Sequence, residues 1–290
     1  MNSAVSALVP VTLFIVMLAL GAGLPTDAWR DWHRHRHLIL RVELVTCVVV
    51  PLVGWLLLCS RFAQGLSIES RHAIALMAAC PSAPLIVRKA GKQGGDSGLA
   101  AQLQVIAALV AIVTVPLLAQ LGEAWFRVDG WTILPRDVAL QVGQTQLLPL
   151  LLGVTLKSRA PQLVARLHTH LNRLANLLLV LLVVAILIKT SPLLLAFSAA
   201  NIRALLLMAL LVCISLGLGF AIAGTEPGQR TTVALVTSMR NPGLALLLTG
   251  SHAPELGQVR LGILMYVLIT VLLSIPVMRR RQRPPGMTPK

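Results

Sequence analysis

Aromatic and acidic side chains are scarce in this chain: one tyrosine, five phenylalanines and five tryptophans among 290 residues, and ten Asp and Glu together. Charged residues of both signs amount to 12%, against 56% hydrophobic. A soluble domain carries about 25% charged and about 45–50% apolar residues, so a soluble globular fold is excluded. Cysteine is sparse as well. Cys47, Cys59, Cys80 and Cys213 stand singly in or beside apolar runs with no C-x-x-C spacing, which excludes a disulfide framework and a thiolate metal site. No spaced carboxylate pair, no His-Glu-x-x-His, no Ser-His-Asp set with an elbow and no phosphate-binding loop is present; "GKQGG" lacks the strand, spacing and hydroxyl of a P-loop. The chain therefore reads as neither an enzyme nor the host of a cofactor.

What is abundant is apolar sequence in long runs. Mean hydropathy is +0.81, and reading for stretches of about 20 residues gives nine candidate spans: 3–23, 38–59, 72–93, 97–121, 141–157, 172–189, 192–223, 229–250 and 257–278. The fold class is an all-α polytopic membrane protein. The first run, Ala4 to Leu20, follows no Lys or Arg, which favours a spanning helix over a cleaved signal peptide. Span 192–223 is long enough to be tilted or to hold an interfacial turn at Asn201-Ile202-Arg203.

The net charge of +15 would suit a nucleic-acid partner only on a soluble domain, and no soluble stretch is long enough to fold alone. Its distribution is informative instead. One set of alternate connections holds sixteen Lys and Arg (30, 34, 36, 88, 89, 92, 157, 159, 166, 173, 230, 279, 280, 281, 283 and 290), the opposite set seven. The excess marks the cytoplasmic face, so the N-terminus lies outside and the C-terminus inside, in what reads as a bacterial inner membrane. "WRDWHRHRH" places cations among its histidines and reads as a cytoplasmic interfacial loop, not a metal site. The tail 279–290 reads as a basic flank on anionic lipid, and Trp29, Trp32, Trp125 and Trp131 as an aromatic belt.

Two spans differ from the rest. The third carries Pro81 and Pro84 in mid-segment, followed by Arg88, Lys89 and Lys92; the eighth carries Asn241, Pro242 and Gly243 beside Arg240. Proline removes a donor and clashes with the preceding turn, so both helices are expected to break at mid-depth, where freed backbone is tolerated only against protein or water. Broken helices in corresponding positions of two halves point to a transporter's binding site, and by the charge count these two run in opposite directions, as an inverted pair.

These segments resemble the sodium/bile acid symporter family. "GAGLPTDAWRDWHRHRHLILRVELVTCVVVPLVGWLLL" is similar to its second and third helices, "ALMAACPSAPLIVRKAGKQGGDSGLAAQL" to its first crossing helix, and "VALVTSMRNPGLALLL" to its second, with Met239, Asn241, Gly243 and Leu244 aligned. The family's usual first helix is missing. The resemblance implies inverted repeats in one transporter domain, with a panel (about 3–59 in part, and 141–189) and a core (about 60–121 and 192–278). Where relatives commonly place sodium ligands, this chain has Ile86, Val87, Val236, Arg240 and Thr46, so the sodium sites are not carried over.

A tethered charge at Arg240 would favour a small organic anion, offering a guanidinium fork to a carboxylate or sulfate. The expected substrate-binding set is Arg240, Asn241, Ser238, Ser82, Thr46, Lys89 and Arg88, with the bilayer as the other partner. Glu43, the one acid well inside a span, is expected to pair with Arg41, with a proton relay as the alternative. A carrier of organic anions without sodium coupling is the leading function. A transport-inactive relative acting as a membrane sensor or structural component is the second.

Overall fold

The computed structural model describes residues 3–24, 32–83, 85–126, 133–252 and 257–281. Among these the chain is helical: α1 (Ser3–Gly23), α2 (Trp32–Leu44), α3 (Val50–Cys59), α4 (Ile68–Ala79), α5 (Ile86–Lys92), α6 (Ser97–Phe126), α7 (Pro135–Val142), α8 (Leu148–Arg159), α9 (Pro161–Ala200), α10 (Ile202–Ile222), α11 (Pro227–Ser238), α12 (Pro242–His252) and α13 (Gly257–Arg281). Among the described residues, six stretches are long and apolar enough to cross a membrane: His35–Cys59, Ser97–Gly122, Pro135–Arg159, Pro161–Ala185, Ile202–Ile222 and Gly257–Pro276. The shorter apolar helix Leu8–Gly23 and the two pairs α4–α5 and α11–α12 complete the arrangement.

Two of the crossings stay continuous through a proline by widening one turn. Val45–Val49 joins α2 to α3 and Gly143–Leu147 joins α7 to α8, each as a π turn closed by a bond five residues back, Val50 N–H to Val45 O and Leu148 N–H to Gly143 O. Pro51 and Pro149 follow immediately. A proline ring displaces the carbonyl four residues earlier, here Cys47 and Thr145, and both lie inside the widened turns.

The sixth and seventh spans need a correction. No break occurs between 189 and 192: α9 runs through Pro192 as one helix of 40 residues, about 60 Å long at 1.5 Å per residue. The chain turns instead at Asn201, whose backbone N–H and side-chain Nδ2 both donate to Phe197 O, at 2.9 and 3.0 Å. Asn201 Oδ1 accepts from the hydroxyls of Ser67 (3.2 Å) and Ser70 (3.0 Å), tying this corner to the start of α4.

Helices pack in two groups. In the first, α1 lies on α8 and α9. Gly21 and Gly153 make the α1–α8 approach possible: a methyl on Gly21 would overlap the Leu150 carbonyl, and one on Gly153 would overlap the backbone of Leu18 and Ala22. Without water to drive helices together, such close backbone contact supplies the packing energy. In the second group α4 packs on α3, α6 and α13, and α10 on α11 and α13. The stretch 32–59 belongs with this second group through α6 and α10. Its buried core includes Met77, Leu103, Met208, Leu211, Leu235 and Tyr266.

Candidate functional site

The breaks in the third and eighth crossings meet. After Ala79 the chain leaves the helix at Cys80, and after Ser238 it leaves at Met239; both residues are extended. Ser82 and Arg240 form a single antiparallel backbone bridge, and Ala83 N–H donates to Met239 O at 3.0 Å. Each broken helix thus satisfies part of the other's freed backbone, as a dry interior requires.

The Asn-Pro-Gly sequence starts a helix as well as ending one. Asn241 Oδ1 accepts from Leu244 N–H at 3.1 Å, a side-chain N-cap for α12, and Pro242 takes the first helical position, where its missing N–H costs nothing. At the far end of α5, Gly94 adopts φ +73 and Asp96 Oδ1 accepts from Leu99 N–H at 2.9 Å to cap α6.

Arg240 is 2% exposed. Its Nε donates to Met77 O at 3.1 Å, Nη1 to Thr46 O at 2.9 Å, and Nη2 to Ala78 O. Met77 and Ala78 end α4, where unpaired carbonyls and the helix dipole both favour a cation. A guanidinium with donors spread over a plane can serve carbonyls from two elements at once.

The other expected residues lie as follows. Ser82 and Asn241 are buried beside Arg240 at the crossing, and Gly243 faces Leu13 of α1. Thr46 reaches Arg240 through its carbonyl, while its hydroxyl has no hydrogen-bond partner. Ser238 bonds back to Ala234 O at 2.7 Å within α11. Lys89 donates to Ser274 Oγ on α13 at 2.9 Å. Arg88 donates to Asn172 Oδ1 on α9 at 2.6 Å, and Asn172 Nδ2 lies 2.8 Å from His168 Nε2. Arg88 and Lys89 are thus engaged with α9 and α13, and of the three cations only Arg240 sits on the crossing. Pro81 is at the first break; Pro84, Trp29, Trp131 and the tail from 282 lie outside the described residues, as do the side chains of Trp32 and Trp125.

Two glutamines complete the site without having been singled out. On α6, the Gln104 amide is assigned with its nitrogen toward the crossing, the orientation in which it donates to Ala83 O at 2.8 Å and Ser82 Oγ at 3.0 Å. The other end of that amide lies 3.5 Å from Gln146 Oε1, which projects from the π turn between α7 and α8. Both are buried, and an uncharged amide in an apolar span is the signal that could have found them.

At three of the five positions where relatives commonly hold sodium, Ile86, Val87 and Val236, the side chains are buried among apolar neighbours. Among the described residues, no three His, Cys, Asp or Glu gather closely enough to hold a metal ion. A family model described as the Sodium Bile acid symporter family matches residues 10–197, about two thirds of the chain, ending after the first break and before the second. No curated protein matches.

Proposed function

The chain belongs to the sodium bile acid symporter family, and from that premise we propose that it carries small organic anions by alternating access without sodium. The observation that carries this reading is the seat of Arg240. Three carbonyls that could face a bound cation already accept from its guanidinium, and Ile86, Val87 and Val236 bring no side-chain oxygen. These residues do not fit a sodium cage, which needs oxygen ligands.

In this reading α1, α7–α8 and α9 form the panel and the remaining helices the core, with the N-terminus outside and the C-terminus cytoplasmic. The solute binds between them, against Ser82, Gln104 and Asn241 of the core and Thr12 and Gln146 of the panel. Thr12 Oγ1 is buried without a hydrogen-bond partner, and Leu13 beside it covers Gly243, which supports a closed conformation. Arg240 attracts the anion through its field, since each of its three nitrogens already donates to a carbonyl. Rocking of core against panel exposes this surface to one side and then the other.

The test is uptake of radiolabelled carboxylates and sulfonates into proteoliposomes, with and without a sodium gradient. Uptake equal in sodium and in potassium is the expected outcome. Uptake that requires sodium overturns the sodium-free part, and no uptake of any anion moves the assignment to a sensor or structural component.

A further inference from the structure

Several buried polar atoms around the Arg240 guanidinium lack a bond of their own. Glu43, on α2 one turn before Thr46, is 6% exposed; the Cys47 thiol donates to its Oε2 at 3.5 Å, and its Oε1 has no hydrogen-bond partner. Thr46 Oγ1 and the Tyr266 hydroxyl of α13 are likewise without one. The expected Arg41–Glu43 pair does not form. Residues two apart on a helix point to different faces, and Arg41 is exposed, lining a surface crevice with His35, His37 and Gln229.

Glu43 therefore meets positive charge only as a field. Arg240 lies within electrostatic reach, but the bonds its three nitrogens make go to carbonyls. α2 packs against α6, which has no ionisable side chain from Ser97 to Gly122, and α10, where the one such group between Ala204 and Ile222, Cys213, is exposed. The ionisable groups acting on Glu43 are the Cys47 thiol and Arg240; Tyr266 and Cys80 act on Arg240 in turn.

We propose that Glu43 takes up and releases a proton in each transport cycle and that this proton drives the solute. The inference rests on the anion-carrier reading above. With Glu43 ionised, its charge and that of Arg240 cancel and the crossing is neutral. With Glu43 protonated, Arg240 stands alone and the crossing carries one positive charge. Proton and anion each raise the other's affinity, as linkage requires. The proton adds to Oε1, the oxygen without a partner, and leaves from the same atom on the other side. Arg240, held by three carbonyls, keeps its own proton throughout. A monoanion and its proton cross together with no net charge.

Taurocholate and butanesulfonate are suitable probes, because a sulfonate does not titrate between pH 6 and pH 8 and any pH effect belongs to the protein. In proteoliposomes of the full chain, an inward proton gradient is expected to drive their accumulation, and a lumenal pH dye is expected to report acidification on their addition. The half-saturating concentration should fall severalfold from pH 8 to pH 6, within the roughly 5–150-fold range of coupled sites. Glu43→Gln should abolish gradient-driven accumulation and make counterflow equally fast at both pH values, while Glu43→Asp should restore the gradient response. Wild-type counterflow indifferent to pH, with no lumenal acidification, overturns the proton role and leaves the carrier standing. Accumulation by Glu43→Gln also overturns it. If neither sulfonate exchanges, the carrier reading fails for such anions and this proposal fails with it.

Discussion

Ser82 and Arg240 face each other across one antiparallel backbone bridge, 158 positions apart in sequence, and that bridge joins two broken helices where both leave helical geometry inside the protein. The bridge fixes where the Arg240 side chain starts, and the end of α4 fixes where it finishes. Backbone and side chain together connect α4 to the α11–α12 break and to the π turn at Thr46.

Arg240→Ala leaves buried carbonyls of Thr46, Met77 and Ala78 without these donors. At about 1–3 kcal/mol for an unsatisfied buried group, the expected loss is about 3 kcal/mol or more, read as a lower thermal midpoint in detergent. Arg240→Lys should recover only part, since an ammonium lacks the planar fork. An Arg240→Ala chain as stable as wild type would show that the carbonyls do not need the cation.

Asn241→Ala removes the cap of α12 and should cost about 0.5–2 kcal/mol, whereas Asn241→Ser should recover much of it. Hydrogen exchange of the Pro242–His252 helix is the direct measure. Unchanged exchange in Asn241→Ala would mean that packing alone holds the start of α12.

The Arg88–Asn172 bond ties α5 to α9 across the two helix groups. Asn172→Ala should loosen the closed arrangement and speed maleimide labelling of the buried Cys80. The assay needs a background of Cys47→Ala, Cys59→Ser and Cys213→Ser, because Cys59 and Cys213 are exposed and Cys47 is a second buried thiol. Labelling no faster than in the parent would remove Arg88 from any role in closure.

Gly153→Ala should destabilise by about 1–3 kcal/mol by forcing α8 away from α1. Gly217→Ala, on an open face of α10 with nothing within 4 Å, should be neutral or slightly stabilising through helix propensity. Equal thermal midpoints for the two variants would refute close packing at Gly153.

Much of this was legible in the residues themselves. Composition and run length gave the membrane class, and the Asn-Pro-Gly and Cys-Pro steps marked the two breaks because proline and an amide cap act locally. The boundary set between 189 and 192 failed because a proline inside a long apolar helix is tolerated when neighbours support the turn; the turn at Asn201, raised as one of two alternatives for span 192–223, is the true corner, and its ties to serines 131 and 134 positions away are what the residues alone did not show. The directions of Arg88 and Lys89 were not legible, because Asn172 and Ser274 meet them only after folding. The Arg41–Glu43 expectation weighed proximity in sequence over the helical angle between the two.

A cation bound from solution can be released on the far side, but Arg240 is part of the chain. Any movement of the crossing through the electric field displaces its charge, and the return movement brings the same charge back. Over a complete turn the membrane potential does no net work on it, although a single displacement across the full field would be worth about 2.3 kcal/mol per 100 mV. Its electrical signature is a transient capacitive current on a voltage step, with no steady current of its own.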